Sequence, residues 1–300
     1  MNVIELEALS RLFAPGVGVR SLSLSVAQGE VYGFIGPNGA GKTTTIRAML
    51  GLSRRTSGAA RVLGVDLERE PARKRAVLAQ VGYVASEPGV YEGMTVGAML
   101  ALLGALHGGE TRARREELCR RLDLALDRRA DELSLGNKKK LALVAAMQHR
   151  PALLVLDEPS NGLDPLVQKT LFELVREEQS RGTTVFFSSH VLSEVERFCD
   201  RFALVRQGAL VKVLSASALR ASERRRVRAK FVGDGPSALA TLAGAAPAED
   251  GSLEFETEAA LGALLDAARA DRDRLRDLTI DRPSLEELVL REYAPKEAQS

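Results

Sequence analysis

The sequence predicts an α/β fold: a parallel or mixed sheet covered by helices, interrupted by a helical insertion and followed by a small separate α+β domain. Three observations predict it. Short apolar runs recur, "VYGFIG" at 31–36, "VGYVA" at 81–85, "LLVLD" at 153–157, "TVFFSS" at 184–189 and "FALV" at 202–205, each bounded by glycine or acidic residues. Continuous runs of this length suit strands buried on both faces, and helical segments lie between them. Between about 92 and 150 the strand signal gives way to helical periodicity, as in "RREELCRRLDLAL". Beyond "SASALRASERRR" (215–226) the core pattern stops and a new alternation begins.

Taken in order, the first domain spans 1–218, with a helical subdomain at about 86–150. The second spans 219–300. It reads strand ("VRAKFVG"), helix, strand ("SLEFETE"), helix, strand ("RLRDLTI") and a closing amphipathic helix ("PSLEELVLREY"). A chain of 300 residues is long enough for both domains and for a sizeable core. Lys+Arg number 42 and Asp+Glu 40, a formal net charge of +2, which excludes a protein held to nucleic acid by bulk charge. Cys119 and Cys199 have no metal or redox spacing, and are expected as small apolar residues in helices of a reduced, cytosolic protein. The opening "MNVIELEALS" carries acidic residues and no long apolar core, so no signal peptide is expected there. The longest apolar stretch, "AMLALLGAL", is about half a membrane span.

The chemistry starts at "GPNGAGKTT", Gly36 to Thr44, which fits G-x-x-x-x-G-K-[ST] between a strand and a helix. Glycines let the backbone turn sharply, so that successive N–H groups of Gly36, Pro37, Asn38, Gly39, Ala40 and Gly41 as a loop (proline excepted) face phosphate oxygens. The helix that follows through Thr44 offers free N–H groups and a positive dipole end. Lys42 suits the β- and γ-phosphates, and the Thr43 hydroxyl suits Mg²⁺. In "LLVLDEPSNGLDP" a buried strand delivers Asp157 and Glu158 to its C-terminal end, where α/β sites form. Neighbouring strand residues point opposite ways, so the two carboxylates take different tasks. Asp157 is the candidate for Mg²⁺, Glu158 for orienting and polarising the water that attacks the γ-phosphate. A further buried strand, "TVFFSS", ends at His190, on the same sheet edge, a candidate γ-phosphate contact. His107 and His149 have no such context and read as surface or packing residues.

With these elements in this order, residues 1–215 resemble the nucleotide-binding subunit of an ABC transporter. The resemblance implies a P-loop NTPase core of the RecA-like kind, with an antiparallel β subdomain beside the helical insertion. It identifies "LSLGN", Leu133 to Asn137, with the family's Leu-Ser-Gly-Gly-Gln signature, so that Ser134, Gly136 and Asn137 would bind ATP held by an opposing subunit. The lysines that follow, Lys138 to Lys140, are then expected on the solvent side of a helix, not as a nucleic-acid patch. Phe13 takes the place of the aromatic that stacks on adenine, and Leu163 and Asp164 match the loop linking the two ATP sites. Two features depart from the family pattern. Leu135 and Asn137 replace glycine and glutamine in the signature. Ser86, followed by Glu87, stands where a Mg²⁺-sensing glutamine is expected. "SLGNKKKLALVAAMQHRP" and "RPSLEELVLREY" resemble ATPases of the antibiotic-resistance and natural-product exporters.

The resemblance implies ATP and Mg²⁺ as ligands and a second ATPase subunit, a homodimer. It also implies a separate multi-span permease and a peripheral seat on the cytoplasmic side of the cell membrane. Two other classes stay open at this stage: a soluble ATPase acting on ribosomes or nucleic acid, and a nucleotide-dependent regulator with no transport role.

Overall fold

An antiparallel hairpin opens the chain in the computed structural model, which describes residues 1–107, 111–216, 225–233, 237–248 and 250–281. β1 (Asn2–Ala14) and β2 (Val17–Ala27) turn at Pro15 and Gly16, where Gly16 adopts φ 76°. Ile4 and Leu6 on one strand and Leu22, Leu24 and Val26 on the other are buried, the alternation of a sheet with one face on a core. β3 (Val31–Ile35) is buried at every residue and runs into α1 (Lys42–Met49). β4 (Ser57–Val62) then pairs antiparallel with β1, giving a three-stranded sheet ordered β2-β1-β4.

The main sheet follows. α2 (Pro71–Leu78) leads to β5 (Val81–Val84). Three helices come next: α3 (Val96–Ala105), α4 (Arg112–Arg121) and α5 (Leu135–Met147). Then come β6 (Leu153–Asp157), α6 (Pro165–Ser180), β7 (Thr184–Ser189), α7 (Leu192–Phe198), β8 (Arg201–Arg206) and β9 (Ala209–Ser215). The six strands lie in the order β5-β6-β7-β3-β8-β9, parallel except for β9, which runs antiparallel to β8. The five apolar runs of the sequence are the five parallel strands. β9 escapes that reading because it is an edge strand, with Lys212 and its neighbours exposed, and so lacks a continuous apolar run.

Register decides the function of this sheet. Ile35 pairs with Ser189, and Asp157 with Ser188. The C-terminal ends of β3, β6 and β7 therefore stand side by side. Gly33, in the middle of β3, is needed for close approach: a Cβ there would lie 2.6 Å from Val195 of α7 and 2.8 Å from Phe202 of β8. Tyr32 stacks on Phe186 of the neighbouring strand within the core, and Phe34 meets the same ring at a tilt.

The helical segment is tied to the α/β core by charge as well as by apolar packing. Arg114 of α4 is buried and places Nη2 2.5 Å from Oε1 of Glu178, which is buried in α6. Arg181 reaches the same oxygen at 3.0 Å, and Arg121 pairs with Glu177 at 2.7 Å. His107 and His149 form a stacked pair, ring centroids 3.6 Å apart, with the Nδ1–H of His107 donating to the Ala79 carbonyl at 3.0 Å. Burial, and then the neighbouring ring, push His149 down to about 4, so its ring packs neutral near neutral pH. Cys119 lies buried in α4, whereas Cys199 lies buried one residue beyond α7. Burial pushes both thiols up, Cys119 to about 11.

Residues Met1–Ala216 form one compact unit and Ser217–Ser300 another. In the second, β10 (Arg225–Phe231) is the central strand, between β11 (Ser252–Thr257) and β12 (Leu275–Asp281), all antiparallel. α8 (Ala238–Ala243) and α9 (Leu261–Ala270) supply Leu239, Leu264 and Ala267 to a core with Val227, Phe231 and Leu253. Burial works against the Asp271 charge. The amide of Leu239, the Ser237 hydroxyl and the amide of Ala238 outweigh it and hold the carboxyl below its usual range. The closing helix expected at "PSLEELVLREY" lies outside the described residues.

Candidate functional site

The loop after β3 is shaped by glycine. Gly39 and Gly41 have φ of 79° and 98°, which other residues reach only with strain. A Cβ on Gly36 would lie 2.4 Å from the Val205 carbonyl oxygen. α1 begins directly at Lys42, with Gly41 as its N-cap and no side chain accepting there, so its first amides stay available to an anion. Lys42 is buried. Its Nζ donates to the carbonyls of Gly36 at 2.6 Å and Pro37 at 3.2 Å, and lies 3.0 Å from Oε1 of Glu158.

β6 brings its two carboxylates to the same edge. Asp157 is fully buried and accepts from Thr43 Oγ1 on one oxygen and from Ser188 Oγ on the other, both at 2.7 Å. Glu158 takes φ 49°, the left-handed region, and so turns away from the strand. Its N–H lies between the Ser188 carbonyl at 3.2 Å and hydroxyl at 3.1 Å. Its Oε2 accepts from Asn161 Nδ2 at 3.2 Å and lies 2.7 Å from His190 Nδ1. A carboxylate only accepts, so His190 carries its proton on Nδ1 in this pair. The structure thus brings Gly36 to Thr44, Asp157, Glu158 and His190 together. Ser188 was missed by the sequence reading. Its signal was two successive hydroxyl residues at the end of an apolar strand.

The other candidates lie around this centre. Ser134 is the N-cap of α5, its hydroxyl accepting from Asn137 N at 3.4 Å. Gly136 packs against the loop after β6, since a Cβ there would lie 2.8 Å from the Gly162 carbonyl oxygen. Among the described residues, no hydrogen bond joins Ser134, Gly136 or Asn137 to the phosphate loop of the same chain. Asp164 is the exposed N-cap of α6 and accepts from Leu166 N at 3.1 Å and Val167 N at 3.0 Å. Phe13 is 62% exposed near the end of β1, with the Arg11 guanidinium 4.7 Å from its ring centroid. Ser86 is half-buried just beyond β5, and no hydrogen bond ties it to Thr43 or Asp157 among the described residues.

One expectation is overturned. Lys138 to Lys140 do not all face solvent: Lys139 is 1% exposed and its Nζ donates to the backbone carbonyl of Glu158. Helical periodicity explains it, because Lys139 shares the inward stripe of α5 with Leu143 and Met147. Lys138 and Lys140 are half-exposed.

The fold and this edge of carboxylates, lysine and glycine loop define a P-loop ATPase. The family described as "ABC transporter" matches residues 19–161. The bacitracin transport ATP-binding protein BcrA of Enterococcus faecalis is 35% identical over 226 residues, covering 74% of this chain and 72% of that protein. The Nod factor export ATP-binding protein I of Paraburkholderia xenovorans (strain LB400) is 36% identical over 225 residues, 73% of each. A solved "ATP binding subunit of ABC transporter" is 30% identical with a TM-score of 0.68, over 73% of this chain and 92% of that one. The chain belongs to the ABC transporter family, as an ATP-binding subunit whose cassette hydrolyses ATP to power transport.

Proposed function

We propose that this subunit powers an exporter by ATP-driven closure of a homodimer, with residues 1–218 as the nucleotide-binding domain and 219–300 as an accessory domain. The observation that carries the chemistry is Glu158, held between Lys42 and His190 beside Asp157. A relative named for Nod factor export supports the direction.

In this reading Phe13 stacks on the adenine, and the amides of 36–44 with Lys42 hold the phosphates. Thr43 and Asp157 are hard oxygen donors already 2.7 Å apart, a set that fits Mg²⁺ and no soft metal. That ion, when bound, neutralises charge on the phosphate oxygens. Ser86 belongs to the same zone only through its place in the loop after β5. Glu158 accepts a hydrogen bond from the attacking water and takes up its proton. His190, donating through Nδ1, keeps the Glu158 carboxylate turned toward that water.

Ser134, Gly136 and Asn137, at the free end of α5, close over the nucleotide of the second copy, with Asp164 in the adjoining loop. Light scattering checks this: Glu158→Gln with ATP is expected at twice its mass without ATP. A monomer at saturating ATP would rule out the homodimer.

Transport needs a membrane partner, since no helix among the described residues is long and apolar enough to cross a membrane. A groove of about 430 Å³ lies between the loop after β5 and the helical segment, lined by Ala85, Pro88, Val90, Tyr91, Leu103 and Leu141. Tyr91 is 56% exposed there. A cytoplasmic helix of a separate multi-span permease is proposed to seat in it, which places the subunit peripherally on the cytoplasmic side of the cell membrane. Changing Val90 and Tyr91, both of which line the groove, together to aspartate is expected to release the subunit from membranes with ATP binding intact. Wild-type recovery with the membrane fraction would move the dock elsewhere. Tight, salt-sensitive binding of the wild type to RNA or DNA would instead favour an ATPase acting on ribosomes or nucleic acid.

A further inference from the structure

We propose that Lys139 is a positioning residue for hydrolysis. Its buried ammonium fixes the main chain of Glu158, and so ties the setting of that carboxylate to the seating of α5. The proposal rests on Glu158 being the water-orienting group.

Three observations carry it. First, Glu158 is a non-glycine residue at φ 49°. Such a conformation costs on the order of 1–3 kcal/mol and persists only where the surroundings over-determine it. Both main-chain polar groups of Glu158 are in fact held. The N–H meets the carbonyl and hydroxyl of Ser188, and the carbonyl accepts from Lys139 Nζ. The side chain is then aimed at Lys42 and His190.

Second, a lysine is an expensive way to supply one hydrogen bond in a site 1% exposed. A buried ammonium is tolerated when opposite charges surround it. Burial pulls Lys139 below its ordinary range, and Asp157, Glu158 and Glu87 act in the opposite direction. Its charge therefore offsets the mutual repulsion of two adjacent carboxylates, alongside Lys42 on the other side. A neutral donor would hold the carbonyl without that offset.

Third, Lys139 belongs to α5, the helix capped by Ser134. One ammonium thus joins two segments: the start of α5 and the main chain of the hydrolytic glutamate. A displacement of α5 is transmitted directly to the carbonyl of Glu158.

The test uses the full chain, with Lys139→Met (similar length, no donor, no charge) and Lys139→Gln (donor, no charge). Lys139→Met is expected to lower kcat for ATP about tenfold or more, as a misplaced catalytic group does. ATP affinity and KM are expected to stay within about twofold, with a lower Tm that leaves the variant folded at the assay temperature, because the carboxylates facing it lose a compensating charge. Lys139→Gln is expected to fall between wild type and Lys139→Met in kcat. In the Glu158→Gln background, Lys139→Met is expected to add little further loss, which a general structural role would not produce. A wild-type kcat in Lys139→Met overturns the proposal, and so does a kcat loss matched by a fall in ATP affinity. If Lys139→Met does not fold, Lys139→Gln is read by the same rule: lower kcat at unchanged affinity supports it, and anything else overturns it. Wild-type hydrolysis by Glu158→Gln alone would instead remove the reading of Glu158 on which the proposal stands.

Discussion

Replacing Glu158 by glutamine is expected to cut ATP hydrolysis by about 100-fold or more, the range lost with a positioned proton acceptor, while ATP still binds. Glutamine has the shape of glutamate and can keep the contacts to Asn161 and His190 after reorienting its amide. What it loses is the basic oxygen that takes a proton from water. It also loses the ion pair with Lys42 at 3.0 Å. That loss leaves the ammonium freer to engage phosphate, so affinity is expected to hold or rise. Single-turnover hydrolysis and equilibrium nucleotide binding, measured on the same preparation, separate the two. Hydrolysis at the wild-type rate would remove Glu158 from the chemistry and leave Asp157 as the remaining acidic group at the strand end.

The second large effect is on stability. Arg114→Met removes the partner that brings α4 onto α6 and, among the described residues, leaves the buried Glu178 carboxylate with the half-exposed Arg181 alone as a cationic neighbour. Breaking a buried pair on one side costs about 3 kcal/mol or more, because the surviving charge is uncompensated. Replacing both partners, Arg114→Met with Glu178→Leu, is expected to recover most of that loss, since apolar residues of similar volume often substitute for a buried pair without penalty. Urea unfolding of the two single variants and the double variant decides it. A double variant no more stable than Arg114→Met would mean that the pair is not the source of the cost.

Much of this site is legible in the sequence because its chemistry is local. The loop 36–44 needs glycine at φ 79° and 98°, so the spacing survives as a motif. Asp157 and Glu158 are adjacent in the chain and end a fully buried strand, which gives them away together. What the sequence hides is non-local. Ser188 counts only because β6 and β7 pair in the register that sets it opposite Asp157. Lys139 is masked by its two lysine neighbours: a run of three suggests one solvated face, whereas a helix puts successive residues about 100° apart. Gly136 reads as a signature glycine, but part of its reason is the carbonyl of Gly162 packed against it. The edge strand β9 is hidden because its exposed face breaks the apolar run.

The pairing of Ile35 with Ser189 and of Asp157 with Ser188 has a consequence for how preparations of this protein are judged. A one-residue slip between β6 and β7 would send Asp157 to the opposite face of the sheet and separate it from Thr43. A misregistered chain is therefore chemically silent, with no partially active intermediate grade. Molar turnover then reports the fraction of chains assembled in the native register. A refolded or heat-stressed sample at half its original turnover, with unchanged KM, is a mixture of intact molecules and inert ones.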